Sequence, residues 1–187
     1  MKAIAFSGSP RKNGNTDILT RHTLKAIEEE GLDTELIRVA DLDIKSCTAC
    51  MVCKTEENCP LKDDLMPLYA KMKEADAIIF ATPVYFGSAT PQIKALMDRA
   101  GYIAYWHRTF ERKVGGPLVV GGRSGHNFTV AQIAYWYYIL GGIVPGSIDW
   151  NVAFGSEKGE VEKDEDGLKT VWIFGKNVAW LVKKLKT

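Results

Sequence analysis

Two stretches of the chain have side chains spaced for chemistry. The first is Cys47-x2-Cys50-x2-Cys53-x5-Cys59-Pro60, which contains every cysteine of the sequence. Thiolates two residues apart can wrap around one small centre while the intervening backbone amides point at its sulfurs. A closely similar run ligates iron–sulfur clusters. Four thiolates also suit zinc, although zinc sites usually come as two separated pairs, and a redox dithiol or four cysteines without metal would need no such spacing. The second stretch is Ser7-Gly-Ser-Pro-Arg-Lys-Asn-Gly-Asn-Thr16, between the apolar run Ala3–Phe6 and a helical pattern. A strand-to-helix turn of this kind presents backbone N–H groups and a helix N-terminus to an anion. Its hydroxyl and amide side chains, with the fork of Arg11, suit a phosphate.

Strands and helices alternate along the rest of the chain. Lys2–Phe6 reads as strand 1, followed by a helix over about 16–30 ended by Gly31. Thr34–Val39 reads as strand 2, with Glu35 and Arg38 suited to a sheet edge. Residues 41–62, with the four cysteines, are too long and polar for a simple connection and read as a functional insertion. A helix over about 63–74 leads to Ala77-Ile-Ile-Phe-Ala81, the near-continuous apolar pattern of a central parallel strand.

Thr82–Ser88 forms a second loop, and Thr90-Pro91 a helix start. Pro117–Val120 is expected as strand 4, ending in a third loop over 121–127, and Ile143–Ile148 as strand 5 with Pro145 at an edge. Lys158–Gly167 reads as a solvated charged loop, before a last helix over about 168–185.

This alternation predicts one α/β domain over residues 1–187, an open doubly wound parallel sheet of strand order 2-1-3-4-5 with the cysteine-rich insertion after strand 2. Ligands in that fold bind outside the carboxyl ends of the strands, where all three polar loops fall. The first loop lacks Gly-x-Gly-x-x-Gly and the nucleotide-triphosphate Gly-Lys-Ser/Thr pattern. A phosphate cradle facing the aromatic, glycine-containing second loop describes a monophosphate joined to a flat ring, as in FMN.

Composition is that of an ordinary globular domain: 46% hydrophobic, 25% charged, net charge +1. That balance offers no electrostatic case for nucleic acid or an anionic membrane. No apolar run approaches the ~20 residues that span a bilayer. The expectation is a cytoplasmic protein whose cysteines are metal ligands or redox groups.

The motifs Gly8–Thr16, Pro83-Val84-Tyr85-Phe86-Gly87-Ser88 and Gln92–Arg99 together resemble the flavodoxin-like NAD(P)H-dependent FMN reductase family. The resemblance implies that Ser9, Arg11, Asn15 and Thr16 bind the FMN phosphate and that Pro83, Val84, Tyr85, Phe86 and Gly87 line the isoalloxazine ring. In the third loop Gly122, Ser124 and Gly125 fit the family pattern, while His126-Asn127 departs from it.

The compact cysteine motif resembles that of the iron–sulfur flavoprotein subfamily. This implies that Cys47, Cys50, Cys53 and Cys59 carry a 4Fe–4S cluster, in a homodimer or homotetramer that takes electrons from a ferredoxin-like donor and relays them through FMN to an acceptor. The alternative is an NAD(P)H-dependent flavin or quinone reductase whose cysteines bind zinc or no metal. No side chain is assigned as catalytic acid or base, because transfer at a flavin ring depends on position more than on a protein proton donor.

Overall fold

The computed structural model of the chain describes residues 1–186. Its centre is a five-stranded sheet of order β2-β1-β3-β4-β5, every neighbouring pair parallel. The elements in chain order are β1 (Lys2–Ser7), α1 (Asn15–Glu29), β2 (Asp33–Arg38), α2 (Leu65–Glu74), β3 (Ala77–Pro83), α3 (Pro91–His107), β4 (Val114–Gly121), α4 (His126–Ile139), β5 (Val152–Phe154) and α5 (Glu165–Lys186). Short 3-10 turns occupy Val39–Asp41, Val52–Lys54 and Glu160–Lys163.

Side chains alternate across each strand and so feed two cores. Ile4, Phe6, Ile78 and Phe80 point to the face covered by α2, α3 and α4. Ala3, Ala5, Ala77, Ile79 and Ala81 point to the face covered by α1 and α5. The small residues of the second face let its helices lie close. Gly175 of α5 sits so near α1 that a Cβ there would come within 2.7 Å of the Thr23 carbonyl oxygen.

β2 is an edge strand, as its charges predict. Glu35 accepts from Lys2 Nζ at 2.6 Å and also pairs with Lys71. These two lysines hold its carboxyl below the ordinary carboxylate range.

The structure corrects two sequence expectations. Strand 5 is not Ile143–Ile148: Ile143 makes a single bridge to Val114, and the chain then leaves the sheet at Pro145-Gly146. The strand is Val152–Phe154, paired with Val119–Gly121 at the far end of β4. Lys158–Gly167 is not wholly solvated either, since Val161 is buried in the core of the α1/α5 face.

Candidate functional site

The carboxyl ends of β1, β3 and β4 open into a cavity of about 180 Å³. Ser9, Arg11, Asn15, Thr16, Pro83, Val84, Tyr85 and Gly122 all line it. Phe86, Gly87, Ser124 and Gly125 are not part of its wall. Gly155, Ser156 and Lys158, from the segment after β5, line it too; of these, Lys158 opens the stretch expected to be a solvated loop.

The first loop is shaped from beneath by Asp17, a completely buried carboxylate in the first turn of α1. It accepts from Ser7 Oγ at 2.6 Å and from the Asn13 amide at 2.8 Å, and it pairs with Arg38 of β2. Arg38 also donates to the Ser9 carbonyl at 3.1 Å and to Asp41 at 3.1 Å. The Asn13 amide is held while its backbone is left-handed, φ 53°, a conformation Asn tolerates better than most residues. The amides of the first turn of α1 have no intrahelical acceptors, which leaves the helix end electropositive.

Asn15 uses its side chain to clasp the last segment of the site. Its Nδ2 donates to the Glu157 carbonyl at 2.8 Å, and its Oδ1 accepts from the Gly159 amide at 2.8 Å. Arg11 Nη1 donates to the Ser156 carbonyl at 3.0 Å. Among the described residues no carboxylate is bonded to that guanidinium, so its charge faces an anion in the cavity unopposed.

The second loop is a tight turn. The Tyr85 amide donates to the Ser88 carbonyl at 2.9 Å and the Ser88 amide returns a bond at 3.1 Å. Phe86 and Gly87 between them have φ of 49° and 78°, as a two-residue primed turn requires. Phe86 is thereby held fully exposed. The third loop abuts this turn: a Cβ on Gly125 would fall 3.0 Å from the Gly87 Cα. Gln132 of α4 accepts from the Ala89 amide at 2.9 Å and pins the turn from behind. Thr90 is the N-cap residue of α3 ahead of Pro91, as the sequence predicts, and its hydroxyl donates to the Gly8 carbonyl at 3.0 Å, tying the first loop to α3. His126 is buried at the start of α4 against Phe154, 4.5 Å between ring centroids, and its Nε2 has no hydrogen-bond partner among the described residues.

One end of this cavity carries hydroxyls, two cationic side chains and a helix N-terminus. The other carries Pro83, Val84 and Tyr85. That donor set fits the phosphate and ring of FMN.

A second, smaller cavity of about 70 Å³ is walled by all four cysteines together with Arg99, Tyr102 and Ile103 of α3. Cys47 and Cys50 are exposed, Cys53 and Cys59 half-buried, and none forms a disulfide. Among the described residues no three ligand-type side chains close on a single point; the sulfurs ring the cavity instead. Burial pushes the Cys53 thiol up, and Cys47 and Cys50 push it the same way, as expected of sulfurs sharing a small space. Ala49 and Met51 are left-handed, φ 54° and 62°, so the run curls tightly. The Ala49 amide donates to Cys47 Sγ at 3.4 Å.

The ends of the insertion are zipped together. Asp63 accepts from the Lys45 amide at 2.9 Å and Asp64 from the Asp43 amide at 2.8 Å. His107 Nε2 meets the Cys53 carbonyl at 3.0 Å, and because a carbonyl only accepts, that nitrogen carries the proton.

Arg99 completes this site and was legible in the sequence only as part of a family motif. It is 2% exposed, pairs with the fully buried Asp63 side chain, and donates Nη1 to the Lys45 carbonyl at 3.0 Å and Nη2 to Cys59 Sγ at 3.1 Å. Burial opposes its charge, yet the bonds to Asp63 and Cys59 raise its pKa overall. Its Nε is buried without a partner among the described residues. Four thiols lining one cavity, with Arg99 donating to the Cys59 sulfur, have the chemistry of an iron–sulfur site, where sulfurs accept hydrogen bonds.

Known proteins resemble this chain in sequence and in fold. Residues 1–157 match the family described as NADPH-dependent FMN reductase. An iron–sulfur flavoprotein of Methanocaldococcus jannaschii is 42% identical over 193 residues, covering 100% of each chain. Another, of Methanosarcina thermophila, is 35% identical and covers 91% of this chain and 90% of its own. Among solved structures, RosB superposes with a TM-score of 0.82 at 21% identity, covering 100% of this chain and 80% of that one. An archaeal flavodoxin gives 0.67 at 18% identity, covering 98% and 99%. These two structural likenesses speak to the fold alone. The chain belongs to the NADPH-dependent FMN reductase family, as an FMN-dependent oxidoreductase of its iron–sulfur flavoprotein branch.

Proposed function

We propose that this protein relays electrons between a 4Fe–4S cluster on Cys47, Cys50, Cys53 and Cys59 and an FMN in the sheet-edge cavity, reducing a small molecule or a protein. The observation that carries the reading is the pairing of two chemically distinct cavities on one fold, a phosphate-and-ring cradle and a ring of four thiols. When bound, the cluster supplies one-electron exchange and the flavin one- or two-electron exchange. The chain supplies position. Arg11, Lys158 and the start of α1 hold the phosphate with the hydroxyls of Ser9 and Thr16, and Asn15 keeps the 155–161 segment closed over it. Pro83 to Gly87 line one side of the ring; Gly122, Ser124 and Gly125 approach from the other.

A second reading, an NAD(P)H-dependent flavin or quinone reductase with zinc or no metal on the cysteines, is favoured by the match to the NADPH-dependent family. Purification without oxygen, followed by assay of iron, sulfide, zinc and FMN per chain, decides between the two. About four iron and four sulfide with one FMN supports the relay; bound zinc, or no metal after reconstitution, sinks it. Rapid flavin reduction by NADPH or NADH would add a nicotinamide substrate.

We place the protein in the cytoplasm with a ferredoxin-like donor. None of its described helices is long and apolar enough to cross a membrane. Self-association into a homodimer or homotetramer is supported by the aromatics that α3 and α4 leave exposed, among them Tyr102, Tyr105, Tyr135 and Tyr138.

Arg11→Ala is expected to weaken FMN binding about tenfold, the scale of one charge-assisted hydrogen bond, while iron content stays unchanged. Fluorescence titration of the apoprotein with FMN, beside an iron assay, checks both halves. Loss of both cofactors together would show that the sites are not separable.

A further inference from the structure

We propose that Arg99 sets the reduction potential of the centre held by the four cysteines, by fixing a positive charge and an N–H donor against the Cys59 sulfur. The inference rests on the cluster reading above.

Reduction adds an electron to such a centre, so a nearby fixed cation stabilises the reduced form more than the oxidised one. The effect is strongest where water is excluded. Hydrogen bonds to ligand sulfurs act in the same direction, and both are recognised determinants of cluster potential. Arg99 meets each condition. Its side chain is almost completely buried, it forms part of the cavity wall, and Nη2 lies 3.1 Å from Cys59 Sγ.

Its partner Asp63 does not cancel the effect, because the charges are ordered in space. Arg99 lines the cavity and donates to Cys59 Sγ, whereas Asp63 is no part of the cavity wall, so the guanidinium is the charge that meets the sulfur. Asp63 also spreads its charge over the amides of Lys45 and Leu65, at 2.9 and 3.1 Å. The pair is therefore a dipole with its positive end toward the cysteines.

The test is a redox titration of the anaerobically purified holoprotein, following the cluster by electron paramagnetic resonance and FMN by absorbance. Iron and sulfide are measured first on every sample. The double variant Arg99→Gln/Asp63→Asn removes the dipole without leaving a buried unpaired charge. It is expected to shift the reduced-to-oxidised ratio of the cluster about tenfold toward oxidised at a given poise, about 59 mV for one electron. The FMN potential should stay at its wild-type value. Arg99→Lys, which keeps the charge and loses the fork, is expected to shift the ratio about threefold; it decides the matter alone if the double variant does not assemble its cluster. Wild-type titration curves from variants with full iron and sulfide would overturn the proposal and leave Arg99 as a brace between residues 45 and 63. A wild-type protein without iron would overturn the functional reading itself, and this inference with it.

Discussion

Cys50→Ser is expected to reduce iron from about four per chain to nearly none while FMN stays bound. Thiolates are the ligands such a centre requires, and a serine hydroxyl is far too weak an acid to replace one at neutral pH. Cys50 is the middle of three cysteines spaced by two residues, so its loss breaks the run that curls through Ala49 and Met51. The flavin is spared for a geometric reason. The two cavities share no lining residue. Arg99 also stands eight residues beyond Pro91, where α3 leaves the ring-binding loop, which is about 12 Å of helix. Iron and sulfide assays with a flavin spectrum measure both outcomes. Retained iron would remove Cys50 from the ligand set, and lost flavin would mean that the insertion braces the flavin cradle.

The second large effect is expected at Asp17. Its alanine variant should lose about 3 kcal/mol of stability, the lower end for breaking a buried ion pair, and bind FMN at least tenfold more weakly. The Ser7 hydroxyl, the Asn13 amide and the Arg38 guanidinium would all lose their acceptor at once. Arg38 would keep Asp41 and the Ser9 carbonyl as acceptors, but neither replaces the buried carboxylate that joins Ser7, Asn13 and Arg38. Urea denaturation of the apoprotein gives the first quantity and flavin titration the second. Unchanged flavin affinity in a destabilised variant would confine Asp17 to folding.

Much of this architecture is legible in the residues. The unbroken apolar runs Ala3–Phe6 and Ala77–Ala81 announce strands buried on both faces, and the polar loops that follow them converge as the fold requires. The four cysteines of the compact run likewise line one cavity. What escapes is set by distant partners. β5 is only three residues long, because it pairs with no more than the last three residues of β4, and so short a run carries no periodic signal. Ile143–Ile148 has a stronger apolar pattern and still lies outside the sheet, broken by Pro145. Arg99 and Asp63 look like surface charges of a helix and a helix start; only their pairing across 36 residues lets both be buried. Lys158 sits in a run of charges that gives no hint of a cavity, and reaches one because Asn15 holds its neighbours.

The Asn15 clasp also governs when the flavin site can exist. The bond from Asn15 to Glu157 spans 142 residues, and that from Arg11 to Ser156 spans 145. Contacts so far apart close late, after the loop entropy of the intervening chain has been overcome. During synthesis the phosphate loop emerges well before the segment that completes it, which follows the last strand of the sheet. A nascent chain stopped before Gly155 has every residue of the first loop and none of those that close it. FMN therefore cannot serve as a template for early folding; the flavin is recruited by a domain whose sheet is already complete.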